Sequence, residues 1–150
     1  MRSGCKRGKE VTPFTAETGM VALPAEHPLA GREAIAMRDL ADAPWVLGPA
    51  GVPSRLRDLT FRVAAAAGFT PRVAQEAREL DTLIALVSAG LGVTLVPASA
   101  ARFPRPGVVF RPLAGKALSF RLVALQRRGL VPPAVRSFLD VLREVGRGGA

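Results

Sequence analysis

The side chains best placed to do chemistry are Gln75, Glu76 and Arg78, which end one apolar run and stand just ahead of another. An amide, a carboxylate and a guanidinium set this close together can orient and neutralise a small polar ligand. Arrangements that would do covalent or acid–base work fail on inspection. His27 is the single histidine; Pro28 holds it in extended or turn geometry, and no Ser or Asp arrangement accompanies it. Gly90, Leu91 and Gly92 open like a dinucleotide fingerprint, yet Leu95 occupies the third glycine's place and the run follows a helix. Ser88 sits in an apolar helical run and makes no nucleophile elbow. Asp140 and Glu144 lie one helical turn apart among Arg136 and Arg143, which makes them a solvated face. Cys5 is the single cysteine and has no disulfide or zinc partner. No catalytic residue, metal site or cofactor is expected.

Positioning these groups needs strands and helices, and the chain marks them. Pro71 keeps the residue before it out of helical space, so 72–77 is expected to be a strand, with Val73, Ala74 and Ala77 buried on both faces. Leu80, Leu83, Ile84 and Val87 recur at helical spacing, Glu79 and Asp81 suit the positive end of that helix, and Gly90 ends it. Residues 93–96 are β-branched or apolar and Pro97 stops them, which gives a second buried strand. Upstream, residues 44–48 read as another buried strand. Ser54 is placed to cap a helix whose Leu56, Leu59, Thr60, Val63 and Ala67 face the sheet and which Gly68 closes. Residues 45–96 therefore read βαβαβ. Right-handed βαβ units leave their ligand sites beyond the carboxyl ends of the strands. The expected cleft floor is made by Gly48, Pro49, Ala50 and Gly51, by Ala74, Gln75 and Glu76, and by Leu91, Gly92 and Val93, where backbone N–H groups and helix N-termini meet a small anionic ligand. Arg78 would neutralise its carboxylate. Tight turns alone also account for the glycines, and Glu76 has the alternative role of capping the following helix.

GFTPRVAQEA at 68–77, the apolar helix, AGLGVTLVP at 89–97 and VALPAEHPLAG at 21–31 come in an order that resembles the effector-binding domain of LysR-type transcriptional regulators, over about residues 20–145. The resemblance implies an α/β, periplasmic-binding-protein-like (type two) fold, here one nearly complete lobe plus a remnant of the other. Residues 1–20 are expected to be a disordered or non-native lead-in, 21–111 lobe two, 112–146 the strand and helix that return to lobe one, and 147–150 a tail. It implies a small-molecule effector bound in an inter-lobe cleft and a homo-oligomer. DNA would be bound only through a helix-turn-helix domain absent from this chain, so a truncated regulator, oligomeric or poorly soluble, is expected. The alternatives are a stand-alone solute-binding module of the same fold and a basic nucleic-acid-associated protein.

Charge bears on that last alternative. The net charge of +9 divides into +2 for residues 1–20, −1 for 21–99 and +8 for 100–150. The excess thus belongs to the C-terminal third, where no reading element such as a helix-turn-helix accompanies it. The basic N-terminus is followed by no apolar run, so export is not expected. Residues 82–101 carry no charge, but Gly90, Gly92 and Pro97 interrupt them and the periodicity changes midway, so no membrane span is expected. A cytoplasmic location follows.

Overall fold

A computed structural model describes residues 8–115 and 118–148; Cys5 and the first seven residues of the expected lead-in lie outside the described residues, as do 149 and 150 of the tail. The elements run β1 (Lys9–Pro24), a 3-10 turn (Met37–Leu40), β2 (Pro44–Leu47), α1 (Arg55–Ala66), β3 (Arg72–Glu76), α2 (Leu80–Ser88), β4 (Thr94–Pro97), a second 3-10 turn (Ala98–Arg102), β5 (Val108–Pro112), β6 (Ser119–Arg127) and α3 (Pro133–Gly148). They form two compact units, Thr18–Leu118 and the remainder.

In the larger unit β2 pairs in parallel with β3 on one side. On the other side Val46 N–H donates to Val93 O and Val93 N–H donates to Pro44 O, both at 2.9 Å, which joins β2 to the start of β4. Beyond β4 the order continues antiparallel through β1 to β5. The strand order is thus β3-β2-β4-β1-β5, with three parallel strands contributed by the expected residues Trp45, Val73 and Val93.

Parallel strands covered by crossover helices are buried on both faces and read as unbroken apolar runs. Trp45, Val46 and Leu47 are at most 1% exposed, and Val21, Ala22, Leu23, Val93, Leu95 and Val96 are fully buried. Leu83, Ile84 and Val87 of α2 pack on Ala22, Val46 and Val96. Each such side chain contributes about 1.5–3 kcal/mol when fully buried, against about 0–1 kcal/mol for an exposed ion pair such as that of Arg32 with Asp39. The apolar layers therefore hold this unit together.

The structure corrects two expectations here. β3 is the outer strand, paired only with β2, so Arg72, Ala74, Gln75 and Glu76 are exposed and Val73 is half-buried; it is not buried on both faces. Residues 9–19, expected within a lead-in, are the first part of β1. Their partner is far away in sequence. In the smaller unit they pair with β6, Arg128 N–H donates to Gly8 O, and Gln126 Nε2 donates to Glu10 Oε2 at 2.9 Å. There α3 comes so close to β1 that a Cβ on Gly146 would overlap the Phe14 carbonyl. Leu139 is buried, whereas Phe138, Val141 and Val145 of α3 and Leu125 of β6 are each more than half exposed. Among the described residues no helix is long and apolar enough to cross a membrane.

Gly92 adopts φ +154°, and a Cβ there would lie 2.5 Å from the Pro44 carbonyl oxygen, the acceptor that anchors Val93. Gly51 also has positive φ, +75°, but faces open space. Gly92→Ala is expected to cost at least about 3 kcal/mol by forcing that pairing apart, whereas Gly51→Ala costs about 1 kcal/mol of backbone strain. Urea unfolding followed by the fluorescence of Trp45 separates the two.

His27 sits in the turn after β1, where its Nδ1 accepts the Leu29 N–H at 3.2 Å, and burial lowers its pKa below the usual value near 6.5. The folded chain resists a proton that the unfolded chain takes up. Stability is therefore greatest above about pH 6.5 and declines as pH falls below it, until the folded value is passed. Denaturation midpoints from pH 7.5 to 4.5 should show a smaller acid loss in His27→Asn, whose amide oxygen can accept the same bond without titrating.

Candidate effector-binding edge

The chain leaves β2 toward β3 on one side and then crosses from β3 to β4 on the other, so the strand order reverses beside β2. Crevices form at such switch points, beyond the carboxyl ends of the strands. That edge carries three segments: the loop after Leu47, the end of β3, and Pro97 with the turn that follows.

The loop is tightly specified. Gly48 is buried, and a Cβ there would stand 3.1 Å from Ser54 Oγ. Ser54 Oγ accepts the Arg57 N–H at 3.3 Å and caps α1 as expected. The β2–β3 pairing shifts register between Trp45 and Val46, and Ala77 N–H donates to Leu47 O at 3.0 Å, so the pairing then continues past the end of β3. There the Glu76 carboxylate reaches across to the loop. Its Oε1 accepts the Ala50 N–H at 3.2 Å and an Nη1 hydrogen of Arg57 at 2.9 Å, and Arg57 Nη1 also donates to the Gly48 carbonyl. Arg57 is 17% exposed at its side chain, Glu76 40%. The Arg57 guanidinium lies 5.2 Å from the Phe61 ring centroid, within cation–π range.

Of the residues expected here, Gly48, Pro49, Ala50, Gly51, Gln75 and Glu76 come together, with Ala74 and Arg78 flanking them on or just after β3. The side chains of Gln75 and Arg78 are exposed and make no hydrogen bond or ion pair among the described residues. Glu76 does not cap α2, whose N-cap Glu79 makes no side-chain bond. Leu91, Gly92 and Val93 stand elsewhere. Val93 pairs with Trp45 and donates to Pro44, so these three lie at the amino edge of the parallel strands, with Gly92 and Val93 buried. A parallel strand can present only its far end to this rim, which for β4 is Pro97, followed by Ala98 and Ser99. His27 follows the carboxyl end of β1, antiparallel to β4, and is thus on the amino-edge side too.

Arg57 went unread in the sequence although a signal was present. It is the third residue of α1, where the helix dipole disfavours a cation, so an arginine there calls for an acidic partner. The chemistry available is recognition: a guanidinium, an amide, backbone N–H groups and a second, free guanidinium. Among the described residues no cluster of His, Cys, Asp and Glu could hold a metal ion.

Comparison with known proteins places the chain in a family. Residues 6–147 match the family described as the LysR substrate binding domain. The HTH-type transcriptional regulator TtuA of Agrobacterium vitis is 40% identical over 112 residues, 75% of this chain and 37% of TtuA. The chain thus spans less than half the length of that relative. The effector binding domain of BenM with its effector benzoate superposes with a TM-score of 0.83 at 22% identity, covering 98% of this chain and 67% of that one. That of QuiR in complex with shikimate gives 0.82 at 21%, covering 99% and 70%. At such identities the likeness is one of fold.

Ser54→Ala is expected to lose about 1 kcal/mol through the lost cap. A double-mutant cycle of Arg57→Met with Glu76→Gln should give a coupling below about 1 kcal/mol, since Glu76 is solvent-accessible. Chemical denaturation of the four variants against wild type measures both.

Proposed function

Because this chain belongs to the family of LysR substrate-binding domains, the effector-binding part of LysR-type transcriptional regulators, we propose that it senses a small anionic metabolite at the carboxyl edge of β2, β3 and β4. The observation that supports this most is the convergence there of the loop around Ala50, the largely covered Arg57 and the side chains of Gln75 and Arg78, which have no partner among the described residues. BenM and QuiR, of the same fold, hold benzoate and shikimate, each a ring with one carboxylate. In a longer protein carrying a helix-turn-helix domain, the metabolite would favour one arrangement of a homo-oligomer over another and so change how that domain meets DNA. In the basic C-terminal third Arg105 is paired with Asp81, Arg111 with the carbonyls of Ala30 and Phe110, and Arg143 with Asp140.

Titration of the 150-residue chain with benzoate, shikimate and related ring carboxylates, read by amide chemical shifts, tests the proposal. Saturable shifts are expected at Ala50, Gln75 and Glu76 and none at Leu91 or Val93. Arg78→Ala should weaken binding about tenfold or more, the usual worth of a charge-assisted hydrogen bond. Shifts centred on Leu91 and Val93, or no binding anywhere in the panel, would refute it.

A further inference from the structure

The anion seat made by the Arg57 guanidinium and the Ala50 N–H is already occupied by one of the chain's own carboxylates. We propose that Glu76 is an internal stand-in for the effector's carboxylate, and that the effector binds by displacing Glu76 from Arg57 and Ala50. This rests on the effector reading above and adds how the site is kept closed and how occupancy is signalled.

The two partners are fastened unequally. Arg57 is 17% exposed, donates also to the Gly48 carbonyl and stacks over Phe61; it cannot leave without uncovering three contacts. Glu76 is 40% exposed at its side chain and is held at one oxygen only, Oε1, to which both Ala50 N–H and Arg57 Nη1 donate. When Glu76 swings into water its charge is resolvated. The guanidinium and the Ala50 amide then remain as a formed anion seat that needs a new occupant. An incoming carboxylate restores both bonds and gains the free side chains of Gln75 and Arg78 alongside. Its arrival also unties β3 from the loop around Ala50, since the Glu76 side chain is the tie between them. Glu76 therefore sets the concentration at which the site fills, and its release reports that filling.

A purely structural brace gives the opposite sign, because removing it would loosen the seat and weaken binding. Acetate is the probe, titrated into the full chain as wild type, Glu76→Gln, Glu76→Ala and Arg57→Met, with the Ala50 amide shift as readout and acetamide as the neutral control. Both Glu76 variants are expected to bind acetate between about twofold and fivefold more tightly than wild type, the worth of an exposed ion pair. Arg57→Met should lose acetate. Equal or weaker acetate binding in folded Glu76 variants would overturn the proposal. Wild type carrying carboxyl-labelled glutamate gives a test that needs no variant. Acetate or benzoate should move the Glu76 carboxyl resonance toward its solvent value as Ala50 shifts, and an unmoved Glu76 with Ala50 shifting would overturn the stand-in while leaving the effector reading intact. Tighter acetate binding in the variants, with no ring carboxylate bound by wild type, would support the stand-in and count against the effector reading.

Discussion

Two backbone hydrogen bonds tie β2 to β4: Val46 N–H to Val93 O and Val93 N–H to Pro44 O. They make one sheet of two pieces, with β2 held between β3 and β4, and they set the polarity of everything else. With β2 in the middle, Trp45, Val46 and Leu47 are buried on both faces and need helices above and below. With all three strands pointing the same way, the loop after β2, the end of β3 and the turn after β4 share one edge. Gly92 is the cost of this arrangement, since only a residue without a Cβ lets the chain pass so close to Pro44.

What stands on that edge is a short electrostatic chain. The Ser54 cap starts α1 in a position that puts Arg57 behind the loop. Arg57 in turn holds the Gly48 carbonyl and the Glu76 carboxylate. A cation in the first turn of a helix opposes the dipole, and Glu76 offsets it from another strand. The same pair satisfies a local requirement of the fold and stands on the surface proposed to recognise an anion, so the proposed recognition would draw on the side chains that also serve the fold. Gln75 and Arg78, which make no hydrogen bond or ion pair among the described residues, are the part of that surface the fold does not use.

Much of this was legible in the sequence, where local chemistry decides. β2, α2 and β4 carry their own boundaries in Pro44, Gly90 and Pro97, and their apolar spacing is that of the elements they form. Ser54 announces its role as a cap. The unread parts depend on partners distant in sequence. Residues 9–19, with Pro13 and few apolar side chains, become a strand because β6 lies beside them; Glu10 meets Gln126 across 116 positions. Arg57 gains meaning only from Glu76, 19 positions on. Leu91, Gly92 and Val93 lie at the opposite edge from the end of β3, because strand direction, fixed by the parallel pairing of Val93 with Trp45, is not visible in a glycine-rich turn.

The exposed apolar side chains of α3 and β6 contrast with the closed layers of the larger unit, so the two units should differ in how firmly they hold their amides. The larger unit's central pairing is the claim on which the candidate edge stands, and hydrogen exchange read amide by amide measures it most directly. Val46 and Val93 should exchange only on global unfolding of that unit, among the slowest amides in the chain. Fast exchange at both, with the amides of β3 still protected, would mean that β2 and β4 are not joined and that the edge described here does not exist.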